Sequence, residues 1–217
     1  MSHNQDDEWQ PDAAGLMALE AEIPVLTALR NFADEVVRLP WFTELGELPD
    51  SQTKILARAY LDALGYPDAD AVPVLNWDDA LDAAASLDLN SEAWEAEEQL
   101  RAGLADTALQ GISEEGLGVM LTHIASTLGP VLQDYVEEAI YMADELPDNI
   151  VDLAIGAGQQ AAHGAALVLA AAAVEAMLAD DMALGEEALN HPLMLKYRLF
   201  EQGRWPIALT GRTLNLF

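Results

Sequence analysis

The chain has 217 residues, enough for one large domain or two small ones, and 52% of them are hydrophobic, so a sizeable core is feasible. It carries 38 acidic and 9 basic residues, a net charge of −29 at pH 7, and no cysteine. The charge disfavours nucleic acid and anionic membrane surfaces as partners, because Lys and Arg supply that affinity, and the missing cysteines exclude disulfides and thiolate chemistry.

The acidity has three interpretations, and composition does not choose between them. The first is adaptation to a salty cytoplasm, the second is a surface that binds a basic partner (a DNA-mimicking protein is a special case), and the third is drift in an acidic family. The first residues contain neither a basic segment nor an apolar one, so we expect no secretory signal peptide and a cytoplasmic location.

In chain order, residues 1–12 are polar and acidic and are predicted to be disordered. Residues 13–217 are predicted to form a single all-helical domain. A helix with one apolar stripe is predicted to be capped by Asp50 or Ser51 and to stop at Gly65. Residues 66–75 contain two prolines and no periodicity, so we predict a loop there that could mark a subdomain boundary.

The longest helix is predicted over residues 150–178. The preceding helix starts at a break at Gly129-Pro130, runs to Leu146, and should pack antiparallel to it across a short connection. The stretch Gly164–Val174 is apolar on every side, but its 11 residues are too few to span a membrane, which takes about 20. We therefore predict a buried central helix in a soluble protein.

The last residues change character, and Trp205–Phe217 fit either a short hairpin or an extended arm. The predicted fold class is all-α, a multi-helix bundle around a buried alanine-rich central helix.

Known catalytic and phosphate-binding motifs are absent from the sequence, and no cofactor is predicted. His163 lies on one stripe of the long helix, and the facing helix would bring Asp134 or Glu137 near its level. A histidine with carboxylates can hold a divalent cation, so these three residues are weak candidates for a metal site. The alternative is a solvated helix face.

The last 28 residues are the least acidic part of the chain, with a net charge of +3. Arg198 or Arg204 is predicted to meet carboxylates of the acidic body. Glu175, on the apolar side of the long helix, is a candidate for a structural ion pair; the alternative is that the helix has left the core at that point. Alternatively, Arg204 and Trp205 face a partner, since Trp and Arg are favoured at interfaces.

We therefore expect a non-enzymatic interaction or regulatory protein that binds a basic protein or associates with itself. The alternative is a metal-dependent or small-molecule enzyme with a carboxylate/His site between helices.

Overall fold

Helices dominate the described part of the chain, which covers residues 24–141, 148–179 and 185–217 of a computed structural model. The eight helices of these ranges are α1 Pro24–Val36, α2 Ser51–Leu64, α3 Trp77–Ala85, α4 Glu92–Ala108, α5 Glu114–Tyr141, α6 Asp148–Leu178, α7 Glu186–Leu189 and α8 Pro192–Glu201. Three short strands are β1 Asp70–Pro73, β2 Pro206–Thr210 and β3 Thr213–Leu216. The predicted helical bundle is confirmed, whereas the predicted disordered segment 1–12 lies outside the described residues.

The predicted central helix is confirmed as α6, which packs against α1, α4, α5 and α8. Its buried alanines are Ala154, Ala161, Ala162, Ala165, Ala166, Ala170 and Ala171. Small side chains let the neighbouring helices approach closely: a methyl group added at Gly158 would come within 2.9 Å of Leu132 on α5. The alanine-rich composition is therefore a packing requirement.

Length and composition alone would also let α6 cross a membrane. The stretch Asn149–Leu178 contains an 18-residue window of mean hydropathy 1.7, and 56% of that window is buried inside the bundle. Charged residues are sparse enough there for the window to extend well beyond the 11-residue apolar stretch of the sequence. Burial among the four packed helices accounts for this apolar character, since core helices have the same composition.

The predicted break at Gly129-Pro130 is wrong, because α5 continues through Pro130. Proline removes the N–H that would bond to the carbonyl of Ser126. Both Pro130 and Ser126 are exposed, so water can satisfy that carbonyl without loss of the helix.

The predicted C-terminal hairpin is confirmed: β2 and β3 pair antiparallel. Residues 66–75 are not a loop throughout, since β1 pairs parallel to β3, from Asp70 opposite Thr213 to Pro73 opposite Leu216. The strand order is β1-β3-β2. A four-residue strand whose partner lies far away in sequence leaves no local periodicity, so it was missed. The subdomain boundary, like the single domain, stays a prediction.

Helix α8 joins two apolar clusters. Its Leu195 and Leu199 pack with α2 and the sheet, whereas Tyr197 and Phe200 pack with the main core around α6. The imidazole Nδ1 of His191 caps α8 by accepting the N–H of Leu193 at 3.2 Å. Residues on α8 therefore lie where the C-terminal segment meets the rest of the bundle.

Candidate functional site

A buried carboxylate on α4 is the centre of the densest polar contacts in the described ranges. Glu97 is 4% exposed. Its Oε1 accepts from Tyr60 Oη of α2 at 2.5 Å and from Lys196 Nζ of α8 at 2.8 Å, and its Oε2 accepts from Lys196 at 2.9 Å and from Arg101 Nη2 at 2.8 Å. We call these four residues the Glu97 cluster. Three helices meet at this carboxylate.

The electrostatics keep the cluster in one protonation state. Burial works to raise the pKa of Glu97, but Lys196, Tyr60 and Arg101 outweigh it and hold that pKa below its ordinary value. Burial and the Glu97 carboxylate raise the pKa of Tyr60 well above its ordinary value. Glu97 is therefore ionised and Tyr60 remains a hydrogen-bond donor at neutral pH.

A cavity of about 30 Å³ lies beside the cluster, lined by Tyr60, Ser91, Trp94, Glu97 and Lys196 together with residues of β2 and β3. That volume holds about one or two water molecules. The polar groups that converge here join α2, α4 and α8.

Lys196 was missed in the sequence, although a signal was present. It is one of two lysines in the chain, and its neighbours on α8 are buried: Leu195 precedes it and Tyr197 follows it. A lysine in such a position needs a buried acid. The predicted partner Arg198 is instead exposed, and its Nε lies 3.9 Å from Glu201 of the same helix.

Arg204 is buried, at 5% exposure, and it contacts the body mainly through backbone oxygens. Its Nη1 donates to the carbonyls of Glu44 and Glu47, and its Nη2 donates to the carbonyl of Leu48 at 3.3 Å. The carboxylate of Glu44 lies 4.0 Å away. Burial lowers the pKa of Arg204, with Glu44, Glu47 and Asp50 acting against that shift. This guanidinium fixes the turn over residues 41–48.

Trp205 and Glu175, two further candidate residues, lie in the core and on the surface of the bundle, respectively. Trp205 is 2% exposed, stacks edge-on against Phe42 and pairs through its backbone with Phe217, so it is a core residue and not an exposed interface anchor. Glu175 is exposed, because the last turn of α6 leaves the core, and it has no salt bridge to the residues described.

The three candidate metal ligands are not brought together. His163 is half-buried and its Nε2 donates to the carbonyl of Leu121 at 3.0 Å. Asp134 lies 13 residues beyond Leu121 on α5, about 20 Å along the helix axis. Glu137 is exposed and accepts from Gln133 at 2.8 Å. Within the described ranges, no group of three or more His, Asp or Glu side chains is placed to hold a metal ion.

The register of α5 and α6 explains this difference. We expected a helix that continues to Leu146 and a partner that starts near Ile150, which would bring Asp134 opposite His163. Instead Gly158 opposes Leu132, and residues earlier on α5 come level with His163.

An open groove of about 300 Å³ lies between the 41–46 turn, the start of α3, helix α5 and the end of β3. We call it the aromatic groove; its main lining side chains are Phe42, Leu45, Leu75, Trp77, Ala139 and Phe217. Trp77 and Phe217 stack edge to face with ring centroids 4.9 Å apart. Leu75 is 49% exposed, so apolar surface is open to water.

The wall of the groove has an unusual backbone. Phe42 has a φ of 58°, in the left-handed region that bulky residues rarely adopt. Gly46 has a φ of 77°, and a methyl group there would come within 3.0 Å of the carbonyl oxygen of Leu75. Only glycine fits that position without displacing the groove wall. The turn is held in this shape by Arg204 and by the packing of Phe42 against Phe200.

Charge divides the chain into two regions. Residues 102–195, the anionic region, contain 15 acidic residues and no lysine or arginine. Residues 24–101 and 196–217, the mixed-charge region, contain 17 acidic residues and all nine basic ones. On α5 the acids Glu114, Glu115, Asp134, Glu137 and Glu138 are all exposed. The anionic region therefore has no cation of its own to neutralise its surface.

Compared with known proteins, the chain matches no family model, no curated protein and no solved structure.

Proposed function

We propose that this protein is a non-enzymatic interaction or regulatory protein of the cytoplasm, and that it binds a basic partner through its anionic region. The observation that carries the proposal is the run of 94 residues with 15 acids and no lysine or arginine, whose acids on α5 are exposed. Such a surface attracts and orients a cationic protein and repels nucleic acid and anionic membranes.

The contacts of the basic residues support this assignment. Lys196, Arg101, Arg58 and Arg212 form salt bridges with acids of the mixed-charge region at 2.5–2.8 Å, and Arg204 is occupied by backbone carbonyls. These cations are used within the mixed-charge region, which leaves the exposed acids of α5 for a partner. A second copy of the chain carries the same charge, so self-association through this region is disfavoured.

The small volume beside the Glu97 cluster also supports a non-enzymatic function. An enzyme needs several polar groups converging on a space that a substrate can enter. Here the convergent groups surround about 30 Å³. The alternative of a carboxylate/His enzyme site is not favoured by the contacts of His163, Asp134 or Glu137.

The test is the affinity for a labelled oligolysine peptide at about 50 mM and about 300 mM NaCl. The variant Asp134→Asn/Glu137→Gln/Glu138→Gln neutralises three exposed acids of α5. The control Asp34→Asn/Asp70→Asn/Asp82→Asn makes the same charge change on exposed acids of the mixed-charge region.

We expect binding that weakens steeply with salt and that falls roughly tenfold in the α5 variant, since each exposed ion pair contributes up to about 1 kcal/mol. The control variant should lose much less affinity. Equal losses in both variants would show that net charge alone drives binding, and no binding at low salt would contradict the proposal.

A further inference from the structure

The aromatic groove borders the anionic region directly. Its side formed by α5 is Ala139, the residue that follows the exposed acids Glu137 and Glu138. Around α5, Glu138 lies roughly 100° from Ala139, whereas Asp134 and Glu137 lie roughly 150° from it, on the far side of the helix. A peptide with one side chain in the groove therefore brings a neighbouring Lys or Arg to Glu138 first, and residues further along the peptide meet Asp134 and Glu137.

The chemistry of the groove differs from that of the surrounding surface. Exposed Leu75, half-buried Trp77 and the buried rings of Phe42 and Phe217 line it together with the polar Thr43 and Asn76, whereas the neighbouring α5 surface is carboxylate. The volume of about 300 Å³ accommodates one large side chain. Interfaces gain most of their affinity from such anchors, when an aromatic or aliphatic side chain fills a pocket within a polar rim.

The groove is also held in shape before any partner arrives. The left-handed conformation of Phe42 persists because its ring packs against Phe200 and Trp205, at centroid distances of 5.8 Å and 6.3 Å. Arg204 fixes the following residues through the carbonyls of Glu44, Glu47 and Leu48. Backbone strain maintained by surrounding contacts is typical of binding sites, and a preformed pocket lowers the entropy lost on binding.

We infer that the aromatic groove receives one aromatic or large aliphatic side chain of the basic partner, flanked by a Lys or Arg that meets Glu138 and by further basic residues that meet Asp134 and Glu137. This inference rests on the proposed function, because the partner is the same. Charge complementarity selects this occupant over a second copy of the chain, whose acidic surface would be repelled.

The experiment uses two short oligolysine peptides that differ at the central position, one with Trp and one with Ala. Their affinities are measured for the wild-type protein, for Leu75→Asn in the groove and for Leu89→Asn as the control. Leu75 and Leu89 are comparably exposed, at 49% and 57%, and only Leu75 lines the groove. The indole N–H resonance of Trp77 reports occupancy of the groove by NMR. Sedimentation of each variant alone reports its oligomeric state.

We expect the Trp peptide to bind the wild type roughly tenfold more tightly than the Ala peptide and to shift the Trp77 resonance. Leu75→Asn should remove most of that preference, and Leu89→Asn should keep it. Equal affinity of the two peptides for the wild type, or a preference that survives Leu75→Asn, would overturn the inference.

Two other outcomes separate this inference from the proposed function. If both peptides bind with the same salt-dependent affinity, the anionic region binds basic partners and the groove does not take part. If the wild type sediments as a dimer and Leu75→Asn as a monomer, the groove is occupied by a second copy, and the inference is overturned. If neither peptide binds, both proposals fail.

Discussion

The mixed-charge region and the anionic region share only parts of α4 and α8, and they use charge in opposite ways. In the mixed-charge region, Glu97 and Arg204 are buried and bonded to partners distant in sequence. In the anionic region the acids of α5 are exposed, and its core contacts are made by alanine and leucine. Buried charges determine which segments pack together in the mixed-charge region, whereas the α5 acids of the anionic region stay on the surface.

This difference shows why net charge alone is a poor guide to the function of an acidic protein. Buried charges join segments only where each has hydrogen-bond partners, as Glu97 has in Lys196, Tyr60 and Arg101. Exposed carboxylates add little to stability and remain free to interact with a partner. Substitutions of equal charge should therefore have unequal effects in the two regions.

The largest expected effect is that of Lys196→Met. It leaves the buried carboxylate of Glu97 without one of its two cations, and breaking a buried pair costs about 3 kcal/mol of unfolding free energy. The chain offers a matched control in its other lysine, exposed Lys54, where Lys54→Met should change stability by less than about 0.5 kcal/mol. Denaturant titration measures the unfolding free energies of both variants, and equal losses would contradict the distinction between buried and exposed charge.

Arg204→Lys should have the next largest effect. Lysine keeps the charge but loses the fork that reaches three carbonyls over Glu44–Leu48, and we expect a loss of about 2 kcal/mol. Arg212→Lys, at an exposed pair with Asp68, should leave stability nearly unchanged. Thermal unfolding of both variants tests this prediction. A stable Arg204→Lys variant would show that charge, and not the fork, holds the 41–48 turn.

The cap of α8 predicts a dependence on pH. Burial lowers the pKa of His191 below its ordinary value near 6.5. Its neutral Nδ1 accepts the N–H of Leu193, so protonation of the ring removes the cap. The stabilisation is complete above about pH 6.5 and is lost as pH falls through the folded-state pKa, since the unfolded chain then binds more protons. Between pH 7.5 and 5.5 the wild type should lose about 1 kcal/mol more than His191→Asn, which keeps a cap that does not titrate.

The unfolding free energies of these two proteins at the two pH values provide the measurement. The pKa of His163 is also lowered by burial, against the opposing hydrogen bond to Leu121, and contributes in the same direction to both proteins, so it cancels in the comparison. An identical pH response in the two proteins would rule out the cap as its source.

The smallest expected effect concerns repulsion on α5. The variant Asp134→Asn/Glu137→Gln/Glu138→Gln should be more stable than wild type by a few tenths of a kcal/mol at low salt, because it removes like charges, and the gain should disappear at about 1 M NaCl. Asp62→Asn, which removes the partner of Arg58, should give no such gain. Melting temperatures at both salt concentrations test this contrast.

Local patterns in the sequence predict most of the helices but few of the contacts between them. The stripe of α2, a cap at Asp50 or Ser51 and the buried alanines of α6 follow from periodicity and composition. The pairing of Glu97 with Lys196 spans 99 residues, so local sequence does not identify the partner of this lysine, and β1 pairs with a strand at the other end of the chain.

The candidate site was harder to predict for a related reason. A shift of a few residues in the register of α5 against α6 moves every opposing pair, and it separates His163 from Asp134. The aromatic groove combines residues from four separate segments, among them Phe42, Trp77 and Ala139. Such a surface exists only after the helices have packed.

An NMR titration of the isotope-labelled protein with oligolysine at low salt tests most directly whether a basic ligand binds the anionic region. We predict that the backbone amide shifts concentrate in α5, residues Glu114–Tyr141, and are reversed by salt. Shifts that spread equally over both regions, or that concentrate in residues 24–101, would contradict the assignment of the anionic region as the binding surface.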